Sequence, residues 1–211
     1  MSGVLLELAY LPPVSHFALM EAHPIVMLEQ YEHYSKGSYR NRCHIAGSQG
    51  PLRLTVPLRK GKNRQQPIRE VGIAYDEPWQ SRHWQAIRSA YGKSPYFLHY
   101  SDVLEPFFKE KRFDFLWDLN SELLKLLLGL LRLNFQLEFS HQYEVVASPG
   151  ILDFRNAILP DQPLPDALPP LRPYSQVFED RLGFTPNLSV IDLLFCMGPA
   201  SRDYLSAARQ A

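Results

Sequence analysis

Cysteine is scarce in this chain: Cys43 and Cys196 are its two thiols, and most of the sequence separates them. Two such distant residues make no disulfide framework, so the chain reads as reduced and cytoplasmic. Long apolar runs are missing as well. The richest, Leu123 to Leu133, is interrupted by Lys125, Gly129 and Arg132 and is too short to span a bilayer. No secretory leader is read at the start, where Val4-Leu5-Leu6 meets Glu7 and then Pro12-Pro13. Net charge is absent too, twenty-two Lys and Arg balancing twenty-two Asp and Glu. That balance argues against a nucleic-acid coat protein, which needs a basic excess over a whole face. Metal-ligand spacing is lacking around His33, His44, His99 and His141. Gly47-x-x-Gly50 is too short for a phosphate loop and has no Lys-Ser/Thr after it. No metal and no cofactor are expected.

What the chain does have is a basic stretch from Lys36 to Arg69, with nine Lys or Arg and no acid. Only thirteen bases remain to face the twenty-two acids elsewhere. A neutral protein that gathers its positive charge in one segment usually has an anion to hold. Tyr39, Asn41, Cys43 and Ile45 alternate with Ser38, Arg40, Arg42 and His44, and Leu52, Leu54, Val56 and Leu58 with Arg53, Thr55, Pro57 and Arg59. The pattern predicts a β-hairpin with its cationic side out. Lys36, Arg40 and Arg42 then form a clamp for a pyrophosphate or carboxylate, which guanidinium groups bind bidentately. The rival reading is a solvated cationic face balanced by acids elsewhere. Cys43 and His44, adjacent on a strand, point to opposite faces and make no nucleophile–base pair. Tyr39 is one of several aromatics suited to stacking a sugar.

The remaining pattern is α/β or α+β: a short-stranded sheet, with the hairpin in its N-terminal third, covered by helices. Strands are read at Val4–Tyr10, Ile25–Leu28 and Ile68–Ala74, and helices at His16–His23, Trp79–Tyr91, Val103–Lys109, Asp114–Leu133, Pro173–Phe184 and Val190–Met197. The helix over Asp114–Leu133 is leucine-rich almost all round and reads as the central buried one, with a homodimer seam as the alternative. Seven prolines between Ser148 and Pro173 mark an extended connector. The domain reading is therefore a main domain over 1–147, a connector over 148–173, and a helical segment over 174–211 that packs back.

Two residues invite a catalytic reading. His83 lies on the apolar stripe of the Trp79–Tyr91 helix, where an imidazole serves either as a general base or as a packed core residue. Asp192 sits in the apolar run Val190–Met197 and needs a partner if buried. Its candidate roles are to orient His83, to meet Arg40 or Arg42, or to form a structural pair. Asn187 reads as a turn or cap residue first and a ligand contact second.

The ordered blocks Lys36-Gly-Ser-Tyr-Arg-Asn-Arg-Cys-His-Ile45, Leu54-Thr-Val-Pro57, Trp79, His83-Trp84, Ala90-Tyr91, Ser94-Pro-Tyr-Phe97 and Pro186-Asn-Leu-Ser-Val-Ile-Asp-Leu-Leu-Phe195 resemble the WbqC-like family, most of all its Bacteroidetes-type members. The resemblance implies a bacterial cytoplasmic protein of O-antigen or surface-polysaccharide assembly. It implies transfer of a small acyl or aminoacyl group to an amino sugar. The phosphorylated substrate, a nucleotide sugar or an acyl carrier, would lie on Lys36, Tyr39, Arg40, Asn41, Arg42 and Asn187, with His83 and Asp192 as catalytic residues. Two departures stand out. Many members carry Gln-Pro after the first strand, where this chain has Leu11-Pro12-Pro13, and many carry Asn at the place of Cys43. The rival functions are a non-catalytic anion- or partner-binding module and, more weakly, nucleic-acid binding by the hairpin.

Overall fold

The structure is a computed structural model that describes residues 3–59, 66–109, 113–168 and 171–207. Strand β1 (Gly3–Glu7) is an uninterrupted apolar run up to Glu7 and is buried along its whole length. Such a run suits a central parallel strand covered on both faces. Beyond it the backbone takes a left-handed turn at Leu11, and Pro12-Pro13 lead into α1 (Val14–Ala22). Strand β2 (Ile25–Glu29) returns parallel to β1, Glu7 facing Glu29. Residues Tyr39–Asn41 make a 3-10 turn, followed by β3 (Arg42–Ile45) and β4 (Leu52–Thr55), an antiparallel pair that forms a small sheet of its own.

Helices α2 (Trp79–Tyr91), α3 (Phe97–Leu104), α4 (Pro106–Lys109) and α5 (Leu116–Leu131) follow, then β5 (Gln136–Phe139) and β6 (Ile151–Asp153), and finally α6 (Glu179–Leu182), α7 (Val190–Met197) and α8 (Ala200–Ala207). The main sheet has the order β5-β2-β1-β6, and all its strands are parallel. The α/β class expected from sequence is therefore the observed one. The first strand lies inside the sheet, with its partners on opposite sides. Crevices at the carboxyl ends of strands near such a reversal are where open α/β sheets bind ligands.

Several expectations change. Tyr39 and Arg40 belong to a tight turn and not to a strand, so the alternation holds only from Arg42 onward. Ile68–Glu70 is a 3-10 turn with isolated bridges after it, where a strand was expected. The leucine-rich helix α5 is buried along one side and not all round: Leu116, Leu119, Leu123, Leu127 and Leu131 are buried, while Asp118, Lys125 and Gly129 face solvent. Both β5 and β6 were missed, and β6 falls inside the Pro-rich connector, where it pairs with β1. The loop read over Gly61 to Pro67 lies mostly outside the described residues.

Candidate functional site

Within the hairpin, Arg42 opposes Thr55 and His44 opposes Arg53. Directly opposed residues share a face, so Arg42, His44 and Arg53 stand together, as the alternation required, while Cys43, Ile45 and Leu54 turn into the core. Neither Arg42 nor Arg53 makes an ion pair among the described residues, and the Arg42 Nε is shielded from solvent with no hydrogen-bond partner. Segment Thr185–Ser189 docks beside β3 through the Ser189 N–H, which donates to the His44 carbonyl at 2.7 Å. The Pro-rich connector supplies the facing wall.

Between them lies a cleft of about 480 Å³, lined among others by Tyr39, His44, Asp161, Thr185 and Asn187. That volume is ordinary for a small-molecule site. The His44 ring stands edge-on to Tyr39, with centroids 5.9 Å apart, and its nitrogens make no hydrogen bond among the described residues. Partial burial lowers its pKa from the usual histidine value; Asp161 opposes that shift, and Arg53 and Arg42 reinforce it. A neutral, half-buried imidazole facing a cleft with two unpaired guanidiniums nearby can accept a proton beside a bound anion. Burial pushes the Tyr39 phenol up to about 12, so it remains a hydrogen-bond donor. The Cys43 thiol is pushed up by burial as well, which removes it as a thiolate nucleophile.

Behind Tyr39 is a set of buried charges that the charge count did not distinguish from an exposed face. Arg40 is wholly inaccessible and grips Glu32 with two hydrogen bonds, Nε to Oε1 at 2.7 Å and Nη2 to Oε2 at 2.5 Å. Glu29 accepts from Arg155 at 3.0 Å and from the Ser140 hydroxyl at 2.6 Å. Glu7 accepts from the Asn156 N–H and lies 3.8 Å from His16. Burial works to raise the Glu7 carboxyl, but His16, Arg40 and the Asn156 N–H prevail and hold it below its usual value. These groups sit at the carboxyl ends of β1 and β2 and just beyond. Arg40 is thus not part of an exposed cationic face; its charge neutralises internal acids. The local signal was present, since an acid ends each of two apolar strands.

The other expected site residues separate. Lys36 is exposed on a turn and lines neither this cleft nor the larger one beside α2. Asn41 donates from its side chain to the Val56 carbonyl at 2.9 Å and pins the exit of β4. Asn187 lines the cleft and also accepts from the Ser15 N–H at 3.0 Å, capping α1 from a distant part of the chain. It does so with φ at 57°, a conformation asparagine tolerates. Asn187→Gly keeps that backbone and deletes the cap, so it should cost about 1 kcal/mol in chemical denaturation. A loss below a few tenths would mean that Ser15 finds another acceptor.

His83 and Asp192 are not brought together. His83 receives or gives a 2.9 Å hydrogen bond at Nδ1 with the Tyr10 hydroxyl and is wedged edge-on against Trp79. Asp192 accepts from Tyr174 at 2.6 Å and from Gln176 at 2.9 Å, with Tyr91 also beside it. Asp192 therefore does not orient His83, and it meets neither Arg40 nor Arg42. Burial pushes the His83 pKa down to about 4, opposed only by the Thr55 backbone. The folded state holds this ring neutral and the unfolded chain does not, so its contribution is present above pH 6.5 and is lost on acidification. Between pH 7 and 4.5 that loss should be about 2 to 3 kcal/mol, and smaller in His83→Asn. Equal acid sensitivity of variant and wild type would refute it.

Residues 9–154 match the model of the WbqC-like protein family. The chain belongs to the WbqC-like family. This WbqC-like chain is also 27% identical over 230 residues to the uncharacterized protein Rv1507c of Mycobacterium tuberculosis, the match covering 95% of this chain and 96% of the other. No solved structure matches it. The matched segment contains the hairpin, Tyr39, His44, Glu29 and Glu32; Glu7, Asp161 and Asn187 lie outside it. Among the described residues, no group of three or more His, Cys, Asp or Glu is arranged to hold a metal, and no helix is long and apolar enough to cross a membrane.

Proposed function

We propose that this WbqC-like protein transfers a small acyl or aminoacyl group to an amino sugar in bacterial O-antigen or surface-polysaccharide assembly. The observation that carries the reading is His44, a neutral imidazole that lines a small-molecule cleft and shares its face of the hairpin with two arginines that make no ion pair among the described residues. Arg42 and Arg53 bind the phosphate or carboxylate of the substrate, and the Tyr39 hydroxyl donates a hydrogen bond. The acceptor amine attacks the acyl carbonyl carbon, forming a C–N bond. His44 takes the amine proton, and the bond to the leaving thiol or phosphate breaks as that group departs with the electron pair. His44 replaces His83 as the base because His83 is enclosed between Tyr10 and Trp79.

The direct test incubates purified protein with UDP-linked amino sugars and acyl-coenzyme A or aminoacyl donors and reads products by mass spectrometry. An amino sugar heavier by one acyl group is the expected product. Unaltered sugars together with tight capture of a glycan-assembly enzyme would favour the non-catalytic binding module instead.

A further inference from the structure

We propose that the cleft at the carboxyl end of α2 is a nucleotide site, distinct from the His44 cleft. At about 580 Å³ it is the larger of the two and shares no lining residue with the other. Its volume falls within the range of about 300–1,000 Å³ common for small-molecule pockets. One side is cationic. Arg88, in the last turn of α2, and Lys93, just past it, are both exposed and make no ion pair among the described residues. The negative end of the helix offsets only about half a charge, and Glu105, which feels the Arg88 charge, is already paired with Lys109, so a positive surplus remains on this side.

The rest of the lining suits a flat ring. Val177 and Phe178 come from the segment before α6, and Pro95 from the turn before α3. Phe178 is half-buried, packs against the core on one side, and lines the cleft without contact to another aromatic ring among the described residues, so its exposed part is available to a base. Ser89 and Ser175 add hydroxyls for a ribose. Cys196 also lines the cleft, but burial, with Asp192 as a lesser cause, pushes its thiol up to about 12. A protonated thiol of that kind argues for reversible binding over covalent capture. Glu179 is near Cys196, yet it accepts from the Gln176 N–H and does not line the cleft. Cationic groups for phosphate beside a partly exposed aromatic ring for a base are the recognition elements of a nucleoside diphosphate.

The cleft is also tied to the proposed site. Gln176 lines it and exchanges two hydrogen bonds with the Thr185 backbone, at 2.9 and 2.8 Å, and Thr185 lines the His44 cleft. A nucleotide here therefore stands one side chain away from the proposed chemistry. Its binding, however, does not depend on whether His44 is a base.

Calorimetric titration of the full chain with ADP at low salt tests this. One saturable site is expected, weakened about tenfold (about 1.4 kcal/mol) by each of Arg88→Ser and Lys93→Ser. Both side chains are exposed, so the variants should unfold as the wild type does. Phe178→Leu should weaken ADP and leave pyrophosphate unchanged. No heat with ADP up to about 1 mM overturns the proposal. So does ADP binding that survives Arg88→Ser/Lys93→Ser but is lost in Arg53→Ser, which would put the nucleotide on the hairpin and leave the acyl-transfer reading standing.

Discussion

Replacing Arg40 with leucine should cost about 3–5 kcal/mol of folding stability, the largest single-residue loss expected in this chain. The guanidinium is wholly buried and doubly bonded to Glu32, and its charge also acts on Glu7. Removing it strands a carboxylate at 3% exposure that has no other hydrogen-bond donor among the described residues. It also removes charge from a region where Glu7, Glu29 and Glu32 already repel one another. Domains of this size hold about 5–15 kcal/mol in total, so the variant should show a much lower denaturation midpoint or fail to accumulate. Arg40→Met combined with Glu32→Leu should recover a large part of the loss, because a buried pair replaced by apolar groups is often close to neutral. If Arg40→Leu unfolds within 1 kcal/mol of wild type, the buried-pair account fails.

The same residue marks where the sequence stopped being legible. Periodicity located α2 to the residue and the hairpin strands from Arg42 onward, because each buries one regular face, and the cap at Ser189 with the stop at Gly198-Pro199 located α7, which is buried nearly all round. It could not foresee that the chain bends into a 3-10 turn at Tyr39–Asn41 and sends Arg40 inward. Charge density alone does not distinguish a cation that faces solvent from one that neutralises buried acids distant in sequence. Strands β5 and β6 are short edge strands with several exposed residues, so neither shows a clear alternation. The Pro-rich connector reads as loose, yet it buries Phe154, Ile158 and Leu168 and supplies a wall of the cleft.

Distant blocks of the WbqC-like pattern become neighbours through backbone contacts. The Ala46 N–H donates to the Tyr91 hydroxyl, the Tyr96 N–H to the Phe195 carbonyl, and the Val190 N–H to the Pro12 carbonyl. Asn41, His83 and Asp192, expected as site residues, each also hold one segment to another through a hydrogen bond. What remains facing the cleft is smaller, and its centre is a histidine valued at first only as part of a cationic face.

His44→Asn should lower the rate of acyl transfer by about 10²–10⁴-fold, the usual contribution of a positioned general base, with little change in stability because the side chain is only half-buried and makes no hydrogen bond. A structural role for His44 would predict the reverse pattern. The pH profile separates the two further. Only the neutral imidazole accepts a proton, so activity should fall on acidification along a limb below the usual histidine value of about 6.5. Arg53 favours the neutral ring by its positive charge; Arg53→Ser should therefore move the limb to higher pH. Asp161 favours the charged ring, and Asp161→Asn should move the limb to lower pH. Opposite displacements by residues of opposite charge, one on the hairpin face and one in the cleft wall, are not produced by loss of packing. A full rate in His44→Asn, or a limb that stays fixed in both charge variants, would remove His44 from the chemistry and leave the cleft as a binding site alone.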